Sequence, residues 1–149
     1  MDVIVNPKLR VKDSKEAIER LGGQMLDAGY VKDSYINAVL QREEVLPTGL
    51  KTGETNVAIP HTDVTHVNRS ALCMATLFEP ITFRLMEDPE QKIEVFLVFL
   101  LAVSEPEEQT QLLKNLISIF QNKELLSEMI NTDNEKTLKQ NLQSSLIMV

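Results

Sequence analysis

The stretch Lys92-Ile93-Glu94-Val95-Phe96-Leu97-Val98-Phe99-Leu100-Leu101-Ala102-Val103 decides the fold. From Val95 onward it is an unbroken apolar run, far shorter than the ~20 residues a membrane-spanning helix needs. A strand with one wet face alternates apolar and polar residues, whereas a continuous run belongs to a strand covered on both faces. Lys92–Val103 therefore predicts a central strand with helices on either side.

Reading upstream, Ile81–Phe83 is a short strand after Pro80, and Ala71–Phe78 a longer one. Asn56–Ile59 is a further short strand that leads into Pro60-His61, and Asp2–Val5 is a first strand ended by Pro7. Between these lie two helices. Asp13 or Ser14 caps the first, Ala17, Ile18, Leu21, Met25 and Leu26 recur at helical spacing, and Gly29 stops it. Asp33 or Ser34 opens the second, which is striped by Ile36, Val39 and Leu40 and ends in Arg42-Glu43-Glu44. Two acids at the negative end of a helix oppose its dipole, so they are either exposed or needed for something else. Leu46-Pro47-Thr48-Gly49 breaks that helix and begins a loop through Gly53.

Downstream of the central strand the period is helical. Pro106, Glu107 and Glu108 suit a first turn, and Leu112, Leu113, Leu116, Ile117 and Phe120 share a face. Glu124–Ile130 and Glu135–Leu142 are two further helices, and the apolar end Leu146-Ile147-Met148-Val149 is expected to dock on its own core or on a partner. Helices before and after a run of strands, with no repeat or linker, give an α/β fold: a mixed β-sheet sandwiched between helices, one domain over residues 1–149.

The bulk numbers narrow the class. Hydrophobic residues make up 43% and charged residues 25%, a globular balance. Fifteen basic against 22 acidic residues leave a net charge of −7, which argues against binding nucleic acid or an anionic membrane surface. A single cysteine, Cys73, sits in an apolar stretch and reads as a small core residue rather than half of a disulfide. No apolar leader follows Asp2, so neither a signal peptide nor membrane insertion is expected, and the expected location is cytoplasmic.

The chain has two histidines, His61 and His66, in one loop. Histidine works near neutral pH as base, nucleophile or metal ligand. Pro60 stiffens the backbone ahead of His61 and biases Ile59 toward extended geometry, which presents the imidazole at the rim of the sheet. The loop before it offers the Thr48 hydroxyl and a backbone N–H at Gly49, and Arg42 offers a fork of donors suited to phosphate. The same residues leave other readings open. His61, Asp63 and His66 form an H-x-D-x-x-H string that suggests a metal-dependent hydrolase, although three ligands in one loop are weak support for zinc. No G-x-S-x-G, P-loop or G-x-G-x-x-G pattern occurs, so activated phosphate would have to arrive from elsewhere, and no cofactor is implied.

Arg42-Glu43-Glu44, Pro47-Thr48-Gly49, Ala58-Ile59-Pro60-His61 and the strand Val95–Ala102 together resemble the fructose/mannitol-type enzyme IIA domain of the bacterial sugar phosphotransferase system. The resemblance runs from about Asp13 to Leu142. It implies a phosphocarrier in which His61 accepts a phosphoryl group on Nε2 from the carrier HPr. His61 would then pass it to a cysteine of a cognate enzyme IIB, which serves the membrane enzyme IIC. A backbone carbonyl is expected to hold the other ring nitrogen. Arg42, Thr48, Gln109 and the N–H groups near Gly49 and His61 are the implied donors, with His66 at the rim. Mannitol- and fructose-type members carry a second histidine where this chain has Gln109. A glutamine there and a histidine placed like His66 resemble the galactitol branch instead. Val64, Val67 and Leu50 are the expected apolar rim for partners, and Asp63 is expected to stay exposed. A regulatory domain of the same fold is the alternative; the absence of a DNA-binding helix pair before the end at Val149 favours a free-standing carrier.

Overall fold

Hydrogen bonding joins five strands into one sheet in the computed structural model, which describes residues 1–147. The strands are β1 (Asp2–Leu9), β2 (Gly49–Leu50), β3 (Val57–Ala58), β4 (Ala71–Arg84) and β5 (Lys92–Ala102), in the spatial order β1-β4-β5-β3-β2. β1 runs parallel to β4 and β3 parallel to β5, while β4–β5 and β2–β3 are antiparallel. β5 is central, as its apolar run requires.

The two faces of the sheet bury separate clusters. Val95, Val98, Leu100 and Ala102 of β5 face helices α1 (Ser14–Asp27) and α2 (Tyr35–Val45), with Ile18, Leu21, Met25, Tyr35 and Val39 among their partners. Leu97, Phe99 and Leu101 face α3 (Pro106–Phe120), α4 (Lys123–Ile130) and α5 (Glu135–Ile147), through Leu112, Leu116, Phe120, Met129 and Leu142. The Cys73 thiol is buried in the first cluster, and that burial pushes its pKa up to about 12, so it behaves as a small core residue. The α1–α2 crossing is tight: a Cβ on Gly22 would lie 2.7 Å from Cγ1 of Ile36.

Four local expectations change. Ala71–Phe78 and Ile81–Phe83 are one strand, with the pairing to β5 shifted between Thr76 and Ile81, where Pro80 cannot donate to the ladder. β1 continues past Pro7 to Leu9 because it is an edge strand, which tolerates proline, and its register shifts between Asn6 and Leu9. The loop after Pro47 contains β2. Val67, read as rim, is buried in the core, whereas Val64 and Leu50 are half-buried. At the C-terminal end, Leu146 packs partly buried against the second cluster, and the side chain of Ile147 with Met148 and Val149 lies outside the described residues.

Phe99 is fully buried, with its ring 5.1 Å from that of Phe120. Phe99→Ala removes the centre of the second cluster, and urea denaturation should show a loss of about 3–5 kcal/mol.

Candidate functional site

β3 is only two residues long, so cross-links outside its ladder hold the segment that follows it. On one side the Ile59 N–H donates to the Thr48 carbonyl at 3.3 Å; on the other the Leu101 N–H donates to the Pro60 carbonyl at 3.1 Å. The Leu101 carbonyl in turn receives the hydroxyl of Tyr35, a buried phenol whose pKa desolvation raises well above its ordinary value. His61 thus emerges from a backbone clamped between β2 and the end of β5.

The imidazole is buried, with 7% of its surface exposed, and Nδ1 lies 2.7 Å from the Ile59 carbonyl oxygen. A carbonyl only accepts, so Nδ1 carries the hydrogen and Nε2 is left with its lone pair. Burial lowers the pKa of the ring; the Ile59 bond opposes this, and the positive charge of Arg42 adds to the lowering. The ring is therefore neutral at pH 7, with one nucleophilic nitrogen. Arg42 is exposed on the last turn of α2, and among the described residues it has no carboxylate partner within 4 Å. Its charge acts on His61, Asp63 and Glu43.

Thr48 and Gly49 make contacts within the chain that their sequence positions did not show. The Thr48 N–H and hydroxyl donate to the two carboxylate oxygens of Glu43, each at 2.8 Å. Gly49 is buried where a Cβ would sit 2.6 Å from the Arg84 carbonyl oxygen, so its missing side chain serves strand packing. Gln109 lies on the first turn of α3, which follows the same end of β5 that Pro60 abuts; its N–H bonds the Glu105 carbonyl, and its side chain has no hydrogen-bond partner among the described residues. It is at the same rim as His61, with no hydrogen bond between the two side chains among the described residues.

His66 faces the other way. Its Nδ1 lies 2.8 Å from the Ser34 hydroxyl, its carbonyl accepts the Lys32 N–H, and Nε2 lies 3.9 Å from Asp63. Ser34 therefore precedes α2 without a side-chain capping bond. Asp63 is exposed, and it caps a 3-10 turn over Val64–His66 by accepting from Thr65, which lowers its pKa. His61, Asp63 and His66 do not converge, and among the described residues no three His, Cys, Asp or Glu side chains gather to hold a metal ion. The H-x-D-x-x-H string is thus a buried histidine bonded to the Ile59 carbonyl, followed by a histidine that ties the loop to Ser34 and Lys32.

Sequence reading missed two residues. Glu43 reaches over the end of its helix to Thr48, and Arg84 Nη2 donates to the carbonyls of Glu43 and Glu44. The acid at the negative helix end was the visible signal for Glu43; nothing local pointed to Arg84, which is 41 residues further along the chain.

A family model described as the phosphoenolpyruvate-dependent sugar phosphotransferase system, EIIA 2, matches residues 2–145. The galactitol-specific EIIA component of Escherichia coli (strain K12) is 29% identical over 129 residues, covering 87% of this chain and 85% of that protein. Among solved structures, a putative PTS IIA domain from Streptococcus pyogenes has a TM-score of 0.78 at 21% identity, covering 95% of this chain and 90% of that one. Mannitol enzyme IIA of E. coli, in its complex with phosphorylated mannitol enzyme IIB, has a TM-score of 0.75 at 21% identity, covering 97% and 94%. No helix among the described residues is long and apolar enough to cross a membrane.

Burial raises the Glu43 carboxyl from its ordinary value near 4.5 to about 7, against the opposing bonds from Thr48 and the charges of Arg84 and Arg42. Between those values the unfolded chain has lost this proton while the folded chain keeps it, so the Glu43 contribution to stability falls as pH rises across the window. Chemical denaturation of wild type and Glu43→Gln should show the wild type losing stability relative to the variant from pH 4.5 to 7, then running parallel above it. A difference independent of pH would mean that Glu43 ionises as an ordinary carboxylate.

Proposed function

The chain belongs to the phosphoenolpyruvate-dependent sugar phosphotransferase system EIIA 2 family, and we propose that His61 is the residue that carries its phosphoryl group. Members of this family are phosphocarriers, which makes the chain a phosphotransferase component. The observation that carries the assignment is the 2.7 Å approach of His61 Nδ1 to the Ile59 carbonyl, which leaves Nε2 unprotonated in a neutral, desolvated ring.

The reaction runs in two balanced steps. Nε2 of His61 attacks the phosphorus of a donor phosphohistidine on HPr; a new N–P bond forms as the donor N–P bond breaks, and the donor imidazole leaves neutral. His61 then holds the phosphoryl group on Nε2 and a hydrogen on Nδ1, so its ring is formally cationic. In the second step a cysteine thiolate of enzyme IIB attacks the same phosphorus, an S–P bond forms, and His61 returns to its neutral tautomer. Likeness to the enzyme IIA half of the mannitol IIA–IIB complex supports the IIB partner. The galactitol-specific relative supports galactitol or a related polyol as the sugar served downstream.

Negative charge in the transition state spreads over the equatorial phosphoryl oxygens, so donors matter more than bases. Arg42 supplies the cation, exposed and without a carboxylate partner among the described residues. Backbone N–H groups beside His61 and the amide of Gln109 are the neutral donors. Thr48 and Gly49 serve the loop rather than the phosphate, and His66 anchors the loop to the start of α2 through Ser34.

Purified protein incubated with phosphoenolpyruvate, enzyme I and HPr should acquire acid-labile, base-stable phosphate, as should His66→Ala, whereas His61→Ala should not. Label on His61→Ala, or on none of the three, would remove His61 from this role. Arg42→Gln should slow transfer by about a hundredfold, the scale of losing one transition-state donor, measured by rapid quench.

A further inference from the structure

Glu43 sits where two effects disfavour it: its charge opposes the α2 dipole, and its carboxylate is mostly withdrawn from water. The helix end does not require it, because the Leu46 N–H already bonds the Arg42 carbonyl and Arg84 takes the carbonyls of Glu43 and Glu44. What the carboxylate does is grip one residue twice, accepting from both the N–H and the hydroxyl of Thr48 at 2.8 Å. The carbonyl of that same Thr48 accepts the Ile59 N–H, and the Ile59 carbonyl accepts Nδ1–H of His61.

From these hydrogen bonds, joined through the backbones of Thr48 and Ile59, we infer that Glu43 is a positioning residue for His61: its grip on Thr48 holds Ile59 in place, and with it the carbonyl that sets the tautomer and aim of the imidazole. The inference rests on His61 as the phosphoryl acceptor for its catalytic meaning, but its structural content concerns the ring alone. The charged groups facing Glu43 are Arg42, on its own helix, and Arg84, from β4. Neither replaces the grip, since Arg84 holds carbonyls of α2 and not Thr48.

The geometry needs two bonds to Thr48 more than it needs a charge. In Glu43→Gln the amide oxygen accepts the Thr48 N–H and the amide nitrogen donates to the Thr48 hydroxyl, which can reverse its role. A protonated Glu43 does the same, so ionisation near pH 7 leaves the grip in place. Glu43→Ala removes both bonds. Thr48→Ala removes one and keeps the bond from its N–H, which guards against a result that merely reports unfolding.

The test combines ring nitrogen NMR of His61 with phosphoryl transfer from phospho-HPr. Glu43→Gln should keep the single Nδ1–H tautomer and transfer within about threefold of wild type, since both hydrogen bonds survive. Glu43→Ala should give a mixture of tautomers and transfer slowed by about tenfold to a hundredfold, the scale of a misplaced reacting group. Thr48→Ala should fall between. The double variant should be no worse than Glu43→Ala, because the two act through one contact. A pure Nδ1–H tautomer in Glu43→Ala, or a Glu43→Gln as impaired as Glu43→Ala, would overturn the inference. Label on His61→Ala would instead overturn the acceptor assignment, while the spectra would still decide whether Glu43 sets the ring.

Discussion

A ring nitrogen that is to react cannot also hold the proton, and in this chain the proton is held away from it by the Ile59 carbonyl, 2.7 Å from Nδ1 of His61. The bond spans only two residues, so it is geometrically easy to form; its usefulness depends on the carbonyl staying in place. A mobile Ile59 peptide would let the imidazole change tautomer or turn to solvent, where protonation would end its nucleophilicity. The surrounding architecture can be understood as what keeps that one peptide still. Ile59 is buried among the residues facing α3–α5, its N–H is tied to Thr48, and the next carbonyl is tied to Leu101.

The sheet explains why this end is rigid although β3 has two residues. β3 runs parallel to β5, so both strands head toward the same rim, and β5 is buried without a break from Leu97 to Ala102. α2 ties down that rim twice, through the Tyr35 hydroxyl on Leu101 and through Glu43 on Thr48. One helix therefore grips the rim on both sides of the Ile59–His61 segment, by its first residue and again near its last. The costs of burying a phenol and a carboxylate are offset by these hydrogen bonds, which is the usual condition for retaining polar groups in such places.

Much of this was legible in the sequence. The uninterrupted run in β5 announced a strand covered on both faces, and Ala58-Ile59-Pro60-His61 announced a histidine at a strand end. Local patterns sufficed there because burial on both faces and proline stiffness act within a few residues. The merging of two strands into β4 was hidden by Pro80, whose local meaning is a break and whose actual context is a register shift. Arg84 was illegible because its partners are carbonyls, which every residue possesses, so no residue type marks the pairing. Thr48 and Gly49 stood out in the sequence, but two of their contacts were hidden: the Thr48 hydroxyl has Glu43 as its acceptor, and the Arg84 backbone leaves no room for a side chain at Gly49. His61, Asp63 and His66 looked like a ligand string only because spacing along a chain says little about which way three side chains turn.

Gln109 in place of a second imidazole is consistent with the same proton arithmetic. When one imidazole hands a phosphoryl group to another, each ring keeps its own N–H: the donor leaves neutral, and the acceptor becomes a cation by gaining phosphorus. No proton has to cross the site in such a transfer, so the role proposed for His61 calls for no shuttle beside it. What it does call for is a partner for the Nδ1–H as the ring becomes positive, and a carbonyl dipole supplies that without itself titrating. In the proposed role of His61 the Ile59 bond would act twice, first by leaving Nε2 free to attack and then by stabilising the cationic ring that results. An amide near the rim can still orient phosphoryl oxygens, a task for which hydrogen-bond direction matters and proton affinity does not.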